Sequence, residues 1–390
     1  MIINKKPTIK NIGSFSIQFL NSCSIEEPGF RGISHLVEHC MCEKIKDMEN
    51  EFSKYSLSYN AGTSSNGIVF YLSGIDKYVN KFKYKFLDNV LSYEISKDVF
   101  ERERNIIIQE YIQSLSRQTS EFIQNFNRKM FNYYGPIGCI NDLENITYEK
   151  FIEFKNKNFT IPDYLINVSK YRFKKDKKNQ YNIKSYYSKP NEVDVCSNIN
   201  ISNNIKYESY SNFEENRCVM YYTFFKDCEY DNYKKFIYHL IFCRYFNEGL
   251  TSPLYKNVRE KLQCVYSISS KVNKINDEDF MYFTILFTSN DKVQEVKSEV
   301  MSCYHFIDLD ENRFNDIISS IILDEEKEEL LDQMKFEDTE FNKKIKKIIK
   351  KMKVSFDDFK YYVNEFRNSK SFIIDDDEFK KLCSKENVNE

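Results

Sequence analysis

Residues 34–39 read SHLVEH, and they hold two of the four histidines in a chain of 390 residues. On a helix, side chains four apart share a face, so His35 and His39 can aim their imidazoles at one point. Glu38 borders that face, three residues after His35. Two imidazoles beside a carboxylate can hold a borderline metal such as zinc, which lowers the pKa of a bound water to about 7. Glu38 is then placed to take that water's proton as general base. The order H-x-x-E-H reverses the commoner H-E-x-x-H zinc signature. Read alone, the same stretch also fits two surface histidines on an ordinary helix. Two histidines do not complete a catalytic zinc site, which takes three protein ligands and an open position.

A further ligand must come from elsewhere, and ERERNIIIQE offers two candidates. Glu103 and Glu110 are seven residues apart, nearly two turns on one helical face. The apolar run between them predicts a helix packed inside, where a carboxylate needs a partner such as a metal. Either glutamate taken singly also fits the exposed side of an amphipathic helix.

GISHLVEH followed downstream by ERNIIIQE resembles the active-site pair of the insulinase, pitrilysin and mitochondrial-processing-peptidase family of zinc metallopeptidases. The form it resembles is the short, two-domain one. The resemblance implies one zinc per chain, held by His35, His39 and Glu110, with Glu38 as base and Glu103 as a carboxylate orienting the site. YNAGTSSNGIVFY is similar to the family's Asn-Ala-x-Thr strand and implies that Asn60, Ala61 and Thr63 run along the substrate cleft. In the second half, VREKLQCVY is similar to the family's substrate-binding Arg and Tyr, which implies that role for Arg259 and Tyr266. Cys264-Val265 stands where a small Gly-Leu or Gly-Ala pair is common. That departure bears on local backbone shape rather than on the chemistry.

Several elements must position these residues. Phe15, Ile17 and Phe19 alternate as in a strand, ahead of the SHLVEH helix. A turn-rich stretch then leads into a second strand, and Val79, Phe82, Phe86 and Val90 follow at helical spacing. The helix carrying Glu103 and Glu110 comes next, and a strand over 164–173 closes the first half. The second half restarts with a strand (CVMYYTFF), a helix over 231–248, another strand (FMYFTILFT) and charged helices. The expected organisation is a catalytic domain over 1–180, a polar linker over 181–212 and a similar domain over 213–390. The fold class is α+β, with two homologous domains, each a mainly antiparallel sheet carrying helices on one face. The resemblance adds that the pair forms half of a clamshell.

The 57 basic residues nearly cancel the 59 acidic ones, so no field of one sign steers the chain to nucleic acid or to an anionic membrane. The basic segment 340–353 reads as a solvated helix face. No run approaches the roughly 18 apolar residues of a membrane span, and the amino terminus is a poor signal peptide. The 11 cysteines show no disulfide or zinc-ribbon spacing, which fits reduced thiols in a cytoplasm. Cys40 and Cys42 flank the site but lie out of phase with His35 and His39, and read as small buried hydrophobes. His239 and His305 read as structural histidines. The function expected is zinc endopeptidase activity on peptides bound as an extended strand, with removal of a leader from a peptide product as a narrower form. The partners expected are a peptide substrate and a second subunit, either identical or a degenerate homologue. The competing expectation is a non-catalytic homologue serving as a binding or scaffold subunit.

Overall fold

The computed structural model describes residues 1–7, 9–64, 67–115, 117–174, 216–225, 232–265, 267–274, 280–331, 354–369 and 371–385. The linker expected over 181–212, the basic segment 340–353 and Tyr266 lie outside the described residues. The chain forms two compact units. The first takes residues 1–113 and the described parts of 134–193 and 328–337. The second takes 114–133 and the described parts of 194–327 and 338–390.

The first unit is built on strands β1 (Ile2–Lys5), β2 (Ile12–Phe19), β3 (Leu57–Ser64), β4 (Gly67–Ile75) and β5 (Tyr164–Val168). They run in the order β1-β5-β2-β4-β3, antiparallel except for the parallel pair β1 and β5. Phe15, Ile17 and Phe19 alternate as expected and lie opposite Leu72, Phe70 and Ile68 of β4. All six are buried in one core. On that face pack α1 (Ile33–Lys46), with the short α2 (Glu49–Lys54) after it, and α3 (Asp76–Leu91). The stripe expected on α3, from Val79 to Val90, is buried in the same core. Next come α4 (Lys97–Leu115), which carries Glu103 and Glu110, then α6 (Ile140–Asn145) and α7 (Tyr148–Asn158); α5 (Gln118–Phe131), between α4 and α6 in the chain, belongs to the second unit.

Lys83 on α3 is fully buried; its ammonium donates to Asn167 Oδ1 at 3.1 Å and to the Tyr171 carbonyl at 3.3 Å. Burial pushes this lysine down to about 8, against the opposing pull of Asp76. An unfolded chain keeps that proton up to about 10.5, the ordinary value. Between the two values the unfolded state holds more protons, so stability rises with pH across that window. Lys83→Met is expected to remove this rise. Its stability relative to the native chain should fall by on the order of 2 kcal/mol between pH 7.5 and 10.5. Urea unfolding at the two pH values measures it, and an unchanged difference overturns the assignment.

The second unit holds β6 (Asn216–Phe225), α8 (Asn232–Asn247), a π-helical turn (Tyr255–Glu260), β7 (Ile268–Lys274), β8 (Phe280–Ser289), α9 (Val293–Phe306), α10 (Glu311–Leu331), α11 (Phe356–Asn368), β9 (Ser371–Asp375) and α12 (Asp376–Lys385). Its sheet is antiparallel throughout, ordered β7-β8-β6-β9. That order repeats the first sheet: the strand before the first helix lies centrally, a hairpin flanks it on one side, and the last strand lies on the other. The two units therefore share one topology, an α+β repeat. Aromatic side chains of α8, α9 and α11, among them Phe242, Tyr304 and Phe366, fill the core on one face.

Residues 114–133 belong to the second compact unit, apart in sequence from the rest of it. Phe122, Phe126 and Met130 of α5 lie at helical spacing and pack on Cys218, Met220 and Tyr222 of β6. Phe379 and Cys383 of α12 join them, so this sheet carries helices on its second face as well.

Candidate active site

The chain folds into α1 at this point because Ile33, Leu36, Val37, Cys40, Met41 and Ile45 form a helical stripe that buries against the first sheet. The helix begins at Gly32, whose φ of 90° is left-handed and which has no side chain to cap it. Glu26 supplies the cap from upstream: its carboxylate accepts from Gly32 N at 3.0 Å and Ser34 N at 2.9 Å. A loop backs the same end. Gly138 has φ of 73°, and a Cβ there would lie 2.4 Å from the Arg31 carbonyl oxygen. Arg31 itself pairs with Asp142 at 3.8 Å and stacks 3.8 Å over the Tyr134 ring. The first turn, which holds His35, is thus held from three sides.

Among the described residues, His35, His39 and Glu110 are the one group of three whose ligand atoms converge, all within 4.8 Å of one another. His35 Nε2 lies 3.9 Å from one Glu110 oxygen, and His39 Nε2 lies 3.8 Å from the other. Ligands about 2.1 Å from a tetrahedral zinc stand about 3.4 Å apart. A small contraction of three side chains therefore suits zinc, and the mixed nitrogen and carboxylate donors suit it too. Burial, with the His39 charge adding to it, pushes His35 down to about 4, so its imidazole is neutral and able to ligate at pH 7.

Glu38, only 8% exposed, places Oε2 3.8 Å from His35 Nε2 and accepts a hydrogen bond from Thr63 Oγ1 at 3.2 Å. Burial raises its pKa most, with smaller pushes from Glu110 and Glu103; the His39 charge and the Thr63 hydrogen bond oppose the rise. Glu103 behaves in the opposite way. Burial alone would raise it, but bonds and charge from Lys46, then His39 and Arg102, outweigh that and hold it below the ordinary carboxylate value. Its Oε2 meets His39 Nδ1 at 3.2 Å, which leaves Nε2 of that ring to face Glu110.

The other expected site residues are placed as follows. Thr63 reaches Glu38, as above. Asn60 is exposed on β3, and its Oδ1 accepts from Ala61 N at 2.9 Å. β3 is an edge strand of the first sheet. Arg259 lies in the π-helical turn of the second unit, its guanidinium 4.8 Å over the Tyr255 ring. The departure at Cys264-Val265 is accompanied by a left-handed backbone one residue earlier, at Gln263, with φ of 55°. Cys40 is fully buried, and Cys42 packs beside the same core. Burial drives both thiols far up, so neither offers a thiolate. The buried helix expected around Asn105–Ile108 needs correction: Ile107 is buried but Ile106 is 38% exposed, so α4 presents only one face to the core. Sequence reasoning missed Glu26, Lys46 and Arg102. Lys46 follows His39 by two turns and adjoins the same face, which is a signal of a kind; Glu26 left none.

Residues 20–135 match the model of the insulinase family (peptidase family M16), and residues 177–317 match that of the peptidase M16 inactive domain. An uncharacterized zinc protease of Rickettsia bellii (strain RML369-C) is 22% identical over 315 residues, covering 74% of each protein. A protease from Helicobacter pylori has the same fold, with a TM-score of 0.69 at 13% identity over 96% of both chains. The periplasmic protease PqqL from Escherichia coli aligns with all of this chain over 49% of its own, with a TM-score of 0.64 and 14% identity. Fold, motif order and both family matches define a two-domain peptidase-type chain with an H-x-x-E-H helix. The chain belongs to the insulinase family, peptidase family M16.

Proposed function

We propose that the chain is a zinc-dependent endopeptidase, and the convergence of His35, His39 and Glu110 beside the buried Glu38 carries this reading. Those three side chains would hold one zinc, which supplies Lewis acidity to the scissile carbonyl and to the attacking water. Glu38 takes the proton of the water and delivers it to the leaving amine. Thr63 fixes the Glu38 carboxylate through its hydroxyl. Glu103 fixes the tautomer and direction of His39. The substrate adds as an extended strand along β3, whose outer edge runs past Asn60, Ala61 and Thr63. Backbone pairing of that kind accepts many sequences. Removal of a leader from a peptide product is the narrower form of the proposal, and the cytoplasm is the compartment it implies. All the described cysteines are free thiols, and no helix among the described residues is long and apolar enough to cross a membrane. Digestion of a peptide library by zinc-loaded protein tests the activity. Cleavage that stops with a chelator and returns with zinc is expected, and no cleavage from the loaded protein overturns it.

In the same proposal the working form is a dimer, either of this chain or with a homologous subunit, and Arg259 with Tyr266 binds substrate for a site completed by the partner. Mixing a Glu38→Gln chain with an Arg259→Ala/Tyr266→Phe chain under conditions of exchange is expected to restore cleavage. A mixture as inactive as its components overturns the shared arrangement. The reading as a non-catalytic subunit draws on the match of 177–317 to a domain described as inactive. That match lies outside the segment holding His35, Glu38, His39 and Glu110, all of which are present.

A further inference from the structure

We propose that Lys46 and Arg102 are positioning residues for the metal centre, clamping Glu103 so that its carboxylate holds His39 with Nε2 toward Glu110. The inference rests on the zinc reading above. Glu103 is 1% exposed, and one oxygen is given to His39 Nδ1. The other accepts from Lys46 Nζ at 2.9 Å and Arg102 Nη2 at 3.2 Å. Glu43 binds the same two cations, at 3.0 Å from Lys46 and 2.6 Å from Arg102. Two carboxylates and two cations therefore close a ring behind one of the two histidines.

The physical need for the ring follows from burial. A carboxylate removed from water without cations is strongly disfavoured and swings toward solvent where it can. His39 would then lose the acceptor that fixes its ring. His35 has no comparable support, because its Nδ1 is buried with no hydrogen-bond partner among the described residues. Orientation of the histidine pair thus falls on His39. Lys46 stands on α1 and Arg102 on α4, so the ring also ties together the two helices that carry the three ligands.

The test is zinc affinity of the full chain, read by competition with a chromophoric chelator, in two backgrounds. Lys46→Met/Arg102→Met is expected to weaken zinc about 10-fold. Placed on Glu103→Gln, the same pair should change affinity by less than about two-fold, since the cations act through Glu103. Lys46→Arg should keep the native affinity. Equal affinity in the native chain and a folded double variant overturns the inference, and so does an equal loss in both backgrounds. If the double variant does not fold, Lys46→Met alone decides, native-like affinity again being the contrary result. If the native chain takes up no zinc, the metal reading falls and this inference falls with it; if it binds zinc and the variants match it, only this inference fails.

Discussion

Glu38→Gln is expected to lower the turnover of a cleavable peptide about 10³-fold while one zinc per chain stays bound. Glutamine keeps the shape of the side chain and can still accept the Thr63 hydrogen bond, so the backbone and the ligand cluster have no cause to move. What it lacks is a site for the proton. Glu38 suits that task because burial raises its pKa above the ordinary carboxylate value, and the rise strengthens it as a base. Turnover and metal content measured on the same sample separate the roles. A variant that keeps zinc and more than about a tenth of native turnover shows that another group moves the proton. A variant that loses zinc shows that Glu38 shapes the metal site.

Glu110→Ala is expected to weaken zinc on the order of 10³-fold, because it takes away one of three ligands from a site whose binding energy is shared among them. Stability should change little. The Glu110 side chain is 41% exposed, whereas α4 is anchored by buried Phe100 and Ile107. Metal analysis after dialysis, together with a urea unfolding midpoint without metal, measures both effects. Stoichiometric zinc in the variant removes Glu110 from the ligand set. A collapsed midpoint without metal gives it a structural role instead. The contrast with Glu103 is informative, since Glu103 is 1% exposed and anchors His39, Lys46 and Arg102.

Elements whose own periodicity carries the signal were legible in the sequence. The alternation of Phe15, Ile17 and Phe19 is the inner face of β2, and the stripe from Val79 to Val90 is the buried face of α3. The helix expected over 231–248 spans Asn232–Asn247. Such patterns state that a face is buried but not against what. Phe122, Phe126 and Met130 of α5 form such an apolar face, and the sheet that covers it is the second one. The run Ile106–Ile108 misled, since three adjacent residues on a helix point in different directions: Ile107 is buried and Ile108 packs partly on the core, while Ile106 is exposed.

The histidine pair was legible within one element. Four residues of helix turn His35 and His39 to one face with Glu38 beside them, because helical spacing is a property of a single element. Which glutamate would join them was a matter of the fold. Glu103 and Glu110 share a face of α4 and differ only by two turns along it, so spacing cannot choose between them. The packing of α4 beside α1 makes the choice: Glu110 faces the Nε2 atoms, while Glu103 meets Nδ1 of His39 from behind, held by Lys46 and Arg102. Distances between elements come from how cores fill, and no pattern within one helix records them.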